Sequence, residues 1–300
     1  MVTPNEKLAQ SLEMLHGLGP MRAIPTRALA RVHRERLLEA GFLSLVVNGW
    51  YVQSRPSDEP GESTAWFTSM RDFIGGYCSE RFGDQWHISP LQSLLLHTGE
   101  RSLPRQVQVW ATDASNQSIL LPHGTSLFLY KAPRLLPASP DAEAGGQRLV
   151  VLDSALIHAG PTLFKQEPLA AMIALKSLTD LSGLVRTLIS GSHSVVAGRL
   201  AGALRKVGRV EMADELLATM RAAGFTVTET DPFSESPTQA FDDRVESPYV
   251  QRLRMLWAEF RQPVIDALPA PGVVPSDIER VLADVQARYV ADAYHSLSIE

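Results

Sequence analysis

A helix-rich α+β fold is the expectation for these 300 residues, and three observations carry it. Apolar residues recur at helical spacing along most of the chain, short strand-like runs fall before residue 153, and polar turn-rich segments interrupt the chain at 54–64 and 228–248. The hydrophobic share of 45% is ample for real cores, and twenty Gly with twenty Pro exclude collagen-like or low-complexity character. Cys78 is the single cysteine, so disulfides play no part, and its place on an apolar helical face makes it a packed small hydrophobe. There is no cationic start with an apolar run and cleavage site, and no apolar stretch of about 18 residues. The expectation is a soluble cytoplasmic protein with no membrane partner.

At the N-terminus Leu8, Leu12, Leu15 and Leu18 share one face, which predicts a helix over 5–17 ended by Gly17, Gly19 and Pro20. A second helix is predicted from about Thr26, whose hydroxyl would cap it after Pro25, with Ala28, Leu29 and Val32 inward. A third runs from about His33, turns Leu37 and Leu38 inward and stops at Gly41. Phe42 to Val47, the pair Asn48-Gly49 and Trp50 to Val52 read as a strand, a type I′ turn and a second strand. Three short helices followed by a hairpin make a winged helix over residues 1–55.

Charge is uneven along the chain. Residues 1–55 hold seven basic and four acidic residues, a net of +3, which leaves −8 for the remainder of a chain whose total is −5. Such asymmetry suits a small anion-binding module on an acidic body. In a winged helix the third helix would turn Arg34 and Arg36, with His33, Arg31 and Arg27 by the preceding turn, toward a phosphate backbone or groove edge. Glu35 and Glu39 interleave with these cations, so the alternative is a solvated helix face.

The middle of the chain says more about organisation than chemistry. Phe67, Met70, Phe73, Ile74, Tyr77 and Cys78 predict a helix over 65–82, and Ser89-Pro90 opens another through Leu96. Val107–Trp110, Ser118–Leu121, Ser126–Tyr130 and Arg148–Leu152 are strand candidates, with Pro133–Gly146 as a loop. Helices are predicted at Leu156–Leu163, Pro168–Ser177, Ser182–Ile189, Val195–Val207 and Val210–Ala223. The resulting division is a mixed α/β domain over 60–153, a helical subdomain over 154–227, an acidic linker over 228–248 and C-terminal helices over 249–300. In the last segment Tyr249–Leu268 is helical, and Ser276 with Glu279 forms a capping box that opens the final helix.

Two stretches resemble known families. Ile24 to Val52, IPTRALARVHRERLLEAGFLSLVVNGWYV, resembles the N-terminal winged helix of AbiEi-type antitoxins, in which Gly41, Gly49 and Tyr51 occupy the glycine and tyrosine positions around the wing. The family implies a mixed second domain and autoregulation through promoter DNA. The segment Asp292 to Glu300, DAYHSLSIE, resembles the inhibitory helix of Fic-family proteins, Ser or Thr, three residues, Glu, then Gly or Asn. Ser296 and Glu300 stand at that spacing. This resemblance implies that Glu300 competes for the arginine that holds the γ-phosphate of ATP, with Ser296 as an anchoring hydroxyl.

The His-Pro-Phe, two residues, Gly-Asn-Gly-Arg loop of Fic enzymes does not occur, so no catalytic residue is assigned in this chain. Together the two resemblances imply the N-terminal regulatory part of a Fic-family AMP-transferase, with ATP and Mg used by a downstream domain and no cofactor in these residues. The partners implied are the Fic catalytic domain in cis, promoter DNA, the protein substrate of the full-length enzyme and a second copy in a homodimer. The alternative is a free-standing AbiEi-like antitoxin and transcription regulator.

Other motifs are set aside. Gly191 to Gly198 has the flavour of a phosphate loop, but Arg199 and Leu200 stand where Lys and Ser or Thr are needed. No His-Glu-x-x-His or cysteine cluster offers a metal site. Ser192, His193 and Asp180 lack the Gly-x-Ser-x-Gly elbow of a hydrolase. The strip Arg199, Arg205, Lys206 and Arg209 is read as a solvated face before a phosphate site.

Overall fold

The structure is a computed structural model that describes residues 3–19, 21–56, 63–144, 146–233, 247–268 and 278–297. It has two compact units, Met1–Met255 and Leu256–Glu300. Helix α1 (Pro4–His16) begins with a capping box, in which Thr3 Oγ1 accepts the Glu6 amide and the Glu6 carboxylate accepts the Thr3 amide. Then follow β1 (Ala23–Pro25), a 3₁₀ turn (Thr26–Ala28), α2 (Arg31–Glu39), β2 (Leu43–Val47) and β3 (Trp50–Gln53). The three strands form an antiparallel sheet in the order β1-β3-β2. Helix, strand, turn, helix and hairpin follow one another, with two departures from the expected three helices and hairpin.

The predicted second helix is only the 3₁₀ turn. Pro25 and Leu29 on either side are extended, so no room remains for a full α-helical turn. The residues just before it, Ala23 to Pro25, pair with β3 as a strand that the apolar spacing had not revealed. The hairpin turn is also not type I′, which needs positive φ at both central residues. Gly49 alone is left-handed, at φ 91°, and the register slips between Leu45 and Val47, a bulge that takes up the difference.

Alternation along β1 and β3 sends side chains to two cores. Ile24 and Leu37 are fully buried against Leu15, Leu29 and Leu43, the small core under α1 and α2. Ala23, Trp50 and Val52 point the other way and join the core of the middle of the chain.

That middle region is α3 (Thr64–Phe82), β4 (Trp86–Ile88), α4 (Pro90–His97), β5 (Gln106–Ala111), β6 (Gln117–Leu120), β7 (Ser126–Lys131), β8 (Ala138–Ala144) and β9 (Gln147–Val150). The second sheet runs β4-β5-β7-β6, with β5 and β7 parallel and the other pairs antiparallel. β8 and β9 pair within the stretch expected to be the loop Pro133–Gly146 and its successor. Helix α3 packs on β1 and β3 as well as on β4. Trp50 lies edge-on to Phe73 of α3 at 5.7 Å, and a Cβ added at Gly76 would fall 2.8 Å from Cη2 of the Trp50 ring. The wing sheet is therefore built into the same core as α3.

Six helices follow: α5 (Leu152–His158), α6 (Leu163–Gln166), α7 (Pro168–Ser177), α8 (Ser182–Ser190), α9 (Ser194–Lys206) and α10 (Val210–Ala222). The single helix expected over Leu156–Leu163 is two, α5 and α6, separated around Gly160, which has φ 88°. The polar segment expected from residue 228 begins as a packed strap. Val227 and Phe233 are buried, the Thr230 amide donates to the Gly198 carbonyl at 3.2 Å, and Phe233 meets Phe164 edge-on at 5.2 Å. Gly198 and Gly202, one turn apart on α9, let the strap lie against the helix backbone, because a Cβ at either would overlap the carbonyl oxygen of Thr228 or Thr230.

Helix α11 (Pro248–Ala267) starts on the first unit, where Met255 is buried in the helical core and Arg252 pairs with Glu100. Within the second unit Trp257, Phe260 and Val264 of α11 are exposed, and α12 (Ile278–Leu297) exposes Leu282, Val285 and Tyr289. Among the described residues no single helix is long and apolar enough to cross a membrane. Helices α7 and α8 together have the composition for it, yet they bend by 113° and bury their apolar residues in the helical core.

Candidate nucleic-acid interface

The five cations expected to face DNA do not share one surface. His33 turns toward α1. Its Nδ1 lies 2.9 Å from Ser11 Oγ, and because that hydroxyl donates to the Lys7 carbonyl, the ring N–H is the donor. Arg36 also reaches back to α1, with a long 3.5 Å bond from Nη1 to the Lys7 carbonyl. Arg34 is taken up inside the module. Its Nη1 donates to the carbonyls of Thr26 and Leu29 at 3.0 and 3.2 Å, and its guanidinium lies 5.7 Å from the Tyr51 ring centroid.

These contacts give Arg34 a structural task the sequence pattern did not reveal. The two carbonyls belong to the 3₁₀ turn and the residue after it, so Arg34 clamps the turn that replaces the second helix. Tyr51 receives the other side of the fork because alternation along β3 aims it at α2 while Trp50 and Val52 face α3.

Arg27 and Arg31 remain at the surface. Arg27 is bound to Glu80 of α3 at 3.3 Å, which ties the 3₁₀ turn to the next element. Arg31 stands in the first turn of α2 with its side chain 82% exposed, paired to Glu35 one turn on at 2.6 Å. That ion pair raises the guanidinium's affinity for its proton, first through the hydrogen bond and then through charge. The outward face of α2 is thus Arg31, Val32, Glu35 and Glu39, one cation among two acids. A fully solvated pair of this kind opens at small cost, so a phosphate can displace Glu35 from Arg31.

Three of the four cations of the strip Arg199, Arg205, Lys206 and Arg209 are engaged within the fold. Arg205 holds Asp214 and Glu229, each at 2.7 Å, Lys206 lies 3.7 Å from Asp231, and Arg209 donates to the carbonyls of Lys176 and Leu178. The solvated-face reading is close, except that these cations fix the strap and the loop before α8.

No hydrolase triad assembles. His193 meets His158 edge-on at 5.6 Å, and Asp180 accepts from Ser182. Cys78 is buried in the core of α3, and burial pushes its thiol far up, away from any nucleophilic state. Among the described residues no group of three or more His, Cys, Asp or Glu side chains is placed to hold a metal. Ser296 lies in the last turn of α12, and Glu300 lies outside the described residues.

Fold and site together define a helix-rich α+β chain whose first 53 residues place two helices and a 3₁₀ turn around a three-stranded antiparallel sheet. No protein-family model matches the sequence, and no curated protein is significantly similar to it. Among solved structures the RV2827C protein from Mycobacterium tuberculosis is similar over 83% of this chain and 94% of its own, with a TM-score of 0.48 and 16% identity. So distant a likeness carries no functional information.

Proposed function

We propose that this chain is a DNA-binding transcription regulator of the AbiEi-antitoxin type, acting at promoter DNA through α2 and the β2–β3 wing. The observation that supports the proposal is the element order of residues 3–53, helix, strand, 3₁₀ turn, helix and hairpin, which is compatible with a winged helix, with Arg31 exposed in the first turn of α2. In such a module the second of two helices enters the major groove with its N-terminal residues near the bases, and the hairpin lies along the backbone. Val32 supplies an exposed apolar contact of the kind that meets a thymine methyl. The large neutral or acidic remainder keeps non-specific attraction to DNA low, so binding depends on this small face. The protein is read as cytoplasmic.

The test is fluorescence anisotropy of the intact protein with duplexes from the region upstream of its own coding sequence and with a scrambled duplex. A promoter fragment bound at least about tenfold more tightly than the scrambled one supports the proposal. Equal affinities contradict it.

A second reading, regulation of a Fic-type AMP-transferase, has one supporting observation: α12 is helical through Ser296, as an inhibitory helix requires. It pairs Ser296 and Glu300 with a catalytic domain in cis, ATP and Mg, and a protein substrate. Glu300→Gly in the full-length protein would then raise incorporation of labelled AMP. Unchanged incorporation removes this reading and leaves the first untouched.

A further inference from the structure

Between α3, α4 and the loop 98–105 lies an apolar cavity of about 170 Å³. Its walls are Ile74 from α3, Leu91 and Leu95 from α4, and Leu103 and Val107 from the loop and β5. A dry cavity of roughly 150 Å³ lined by such residues holds a benzene-sized body. One polar group makes this more than a packing defect. Arg71 of α3 lines the cavity, its Nη2 donates to the Arg101 carbonyl at 2.9 Å, and among the described residues no carboxylate pairs with it.

The surrounding charge favours an anion. Glu100 lines the same cavity, but it is already taken by Arg252 of α11. Arg101 lies beside Arg71 with its guanidinium 5.2 Å from the centroid of Tyr249. Arg71 is thus the cation that lines the cavity, and the charge of the lining Glu100 is offset by Arg252. Burial and the neighbouring Arg101 both press on the Arg71 charge, the state a bound anion relieves.

We propose that this cavity is a binding site for a small hydrophobic monocarboxylate of about benzoate size, its ring or short alkyl body among the leucines and its carboxylate on the Arg71 fork. An arginine offers two parallel N–H donors to a carboxylate, and in a half-dry setting such a bidentate pair is stronger than a neutral hydrogen bond. A ligand of some nine heavy atoms is expected to bind with a Kd of roughly 1 mM.

The experiment titrates the intact protein with sodium benzoate and with benzyl alcohol, the neutral analogue of similar shape, following amide shifts by NMR. Benzoate is expected to bind about tenfold more tightly than the alcohol, a difference that Arg71→Met abolishes while alcohol binding persists. Leu103→Trp, which fills the cavity, is expected to bind neither. Equal affinity of the wild-type protein for both probes, unchanged benzoate affinity in Arg71→Met, or no shift at about 10 mM benzoate would overturn the assignment. Should Arg71→Met fail to fold, the comparison of the two probes on wild-type protein and on Leu103→Trp decides it.

Discussion

Arg34 shows how one residue can look like a ligand-binding cation and serve the fold. Its hydrogen bonds to Thr26 and Leu29 and its contact with Tyr51 fix the turn that leads into α2. Arg34→Lys keeps the charge but loses the fork, and the expected cost is about 1–2 kcal/mol in urea unfolding, since two carbonyls lose a charged donor. A variant as stable as the wild type would show that the clamp is dispensable.

His87 offers a second test at this scale. Its Nδ1–H donates to the Ile88 carbonyl and its Nε2 accepts the Leu136 amide at 3.2 Å, an arrangement only the neutral ring can make. Desolvation by burial is the chief cause that holds its pKa below the ordinary value of 6.5. The sign follows from proton uptake. As pH falls below that value the unfolded chain binds a proton that native His87 refuses, so stability declines toward the lower folded pKa. His193, lowered first by desolvation and then by His158, adds in the same direction. His87→Gln is expected to flatten part of the fall in unfolding free energy between about pH 7 and pH 5.5, where one proton contributes at most about 1.4 kcal/mol per pH unit. An identical slope in the variant would assign the effect elsewhere.

Among elements, α9 and its strap carry the plainest lesson. Gly198 stood out in the sequence as the end of the glycine-bounded stretch Gly191 to Gly198, and the phosphate reading failed for want of the following Lys, while Gly202 carried no signal. Their reason is close approach: the backbone of 228–230 crosses α9 where a methyl group would overlap a carbonyl oxygen. Gly198→Ala and Gly202→Ala are each expected to destabilise by about 1–3 kcal/mol, against the usual gain from replacing a helical glycine by alanine. Thermal melts that show stabilisation would place the strap elsewhere. Helices such as α7, whose limits Pro168–Ser177 match the expectation, were legible because apolar spacing and a proline at the first turn mark them. β1, β4 and β8 were not. β1 and β4 are three-residue segments whose strand character comes from a partner far along the chain, which periodicity within a few residues cannot report, whereas β8 pairs with the adjacent β9 but has the polar, proline-containing composition of a loop. The same limit hid the direction of Arg34, His33 and Arg36, since helical spacing gives a face but not what packs against it.

For the whole molecule, the basic head and acidic body inferred from composition remain as charge totals, but the head is not a uniformly basic face. Internal contacts take up His33, Arg34 and Arg36, Glu80 holds the exposed Arg27, and the Arg31–Glu35 pair sits in the open at the start of α2. If α2 enters a DNA groove there, the two members of that pair act with opposite sign. The most direct measurement is therefore the affinity of promoter DNA for three proteins, wild type, Arg31→Gln and Glu35→Gln, at two salt concentrations. The account predicts that Arg31→Gln weakens binding and reduces the salt slope by about one, while Glu35→Gln tightens binding by about threefold or more through a freed arginine and a lost repulsion. Equal affinities for all three, or the same direction of change in both variants, would contradict it.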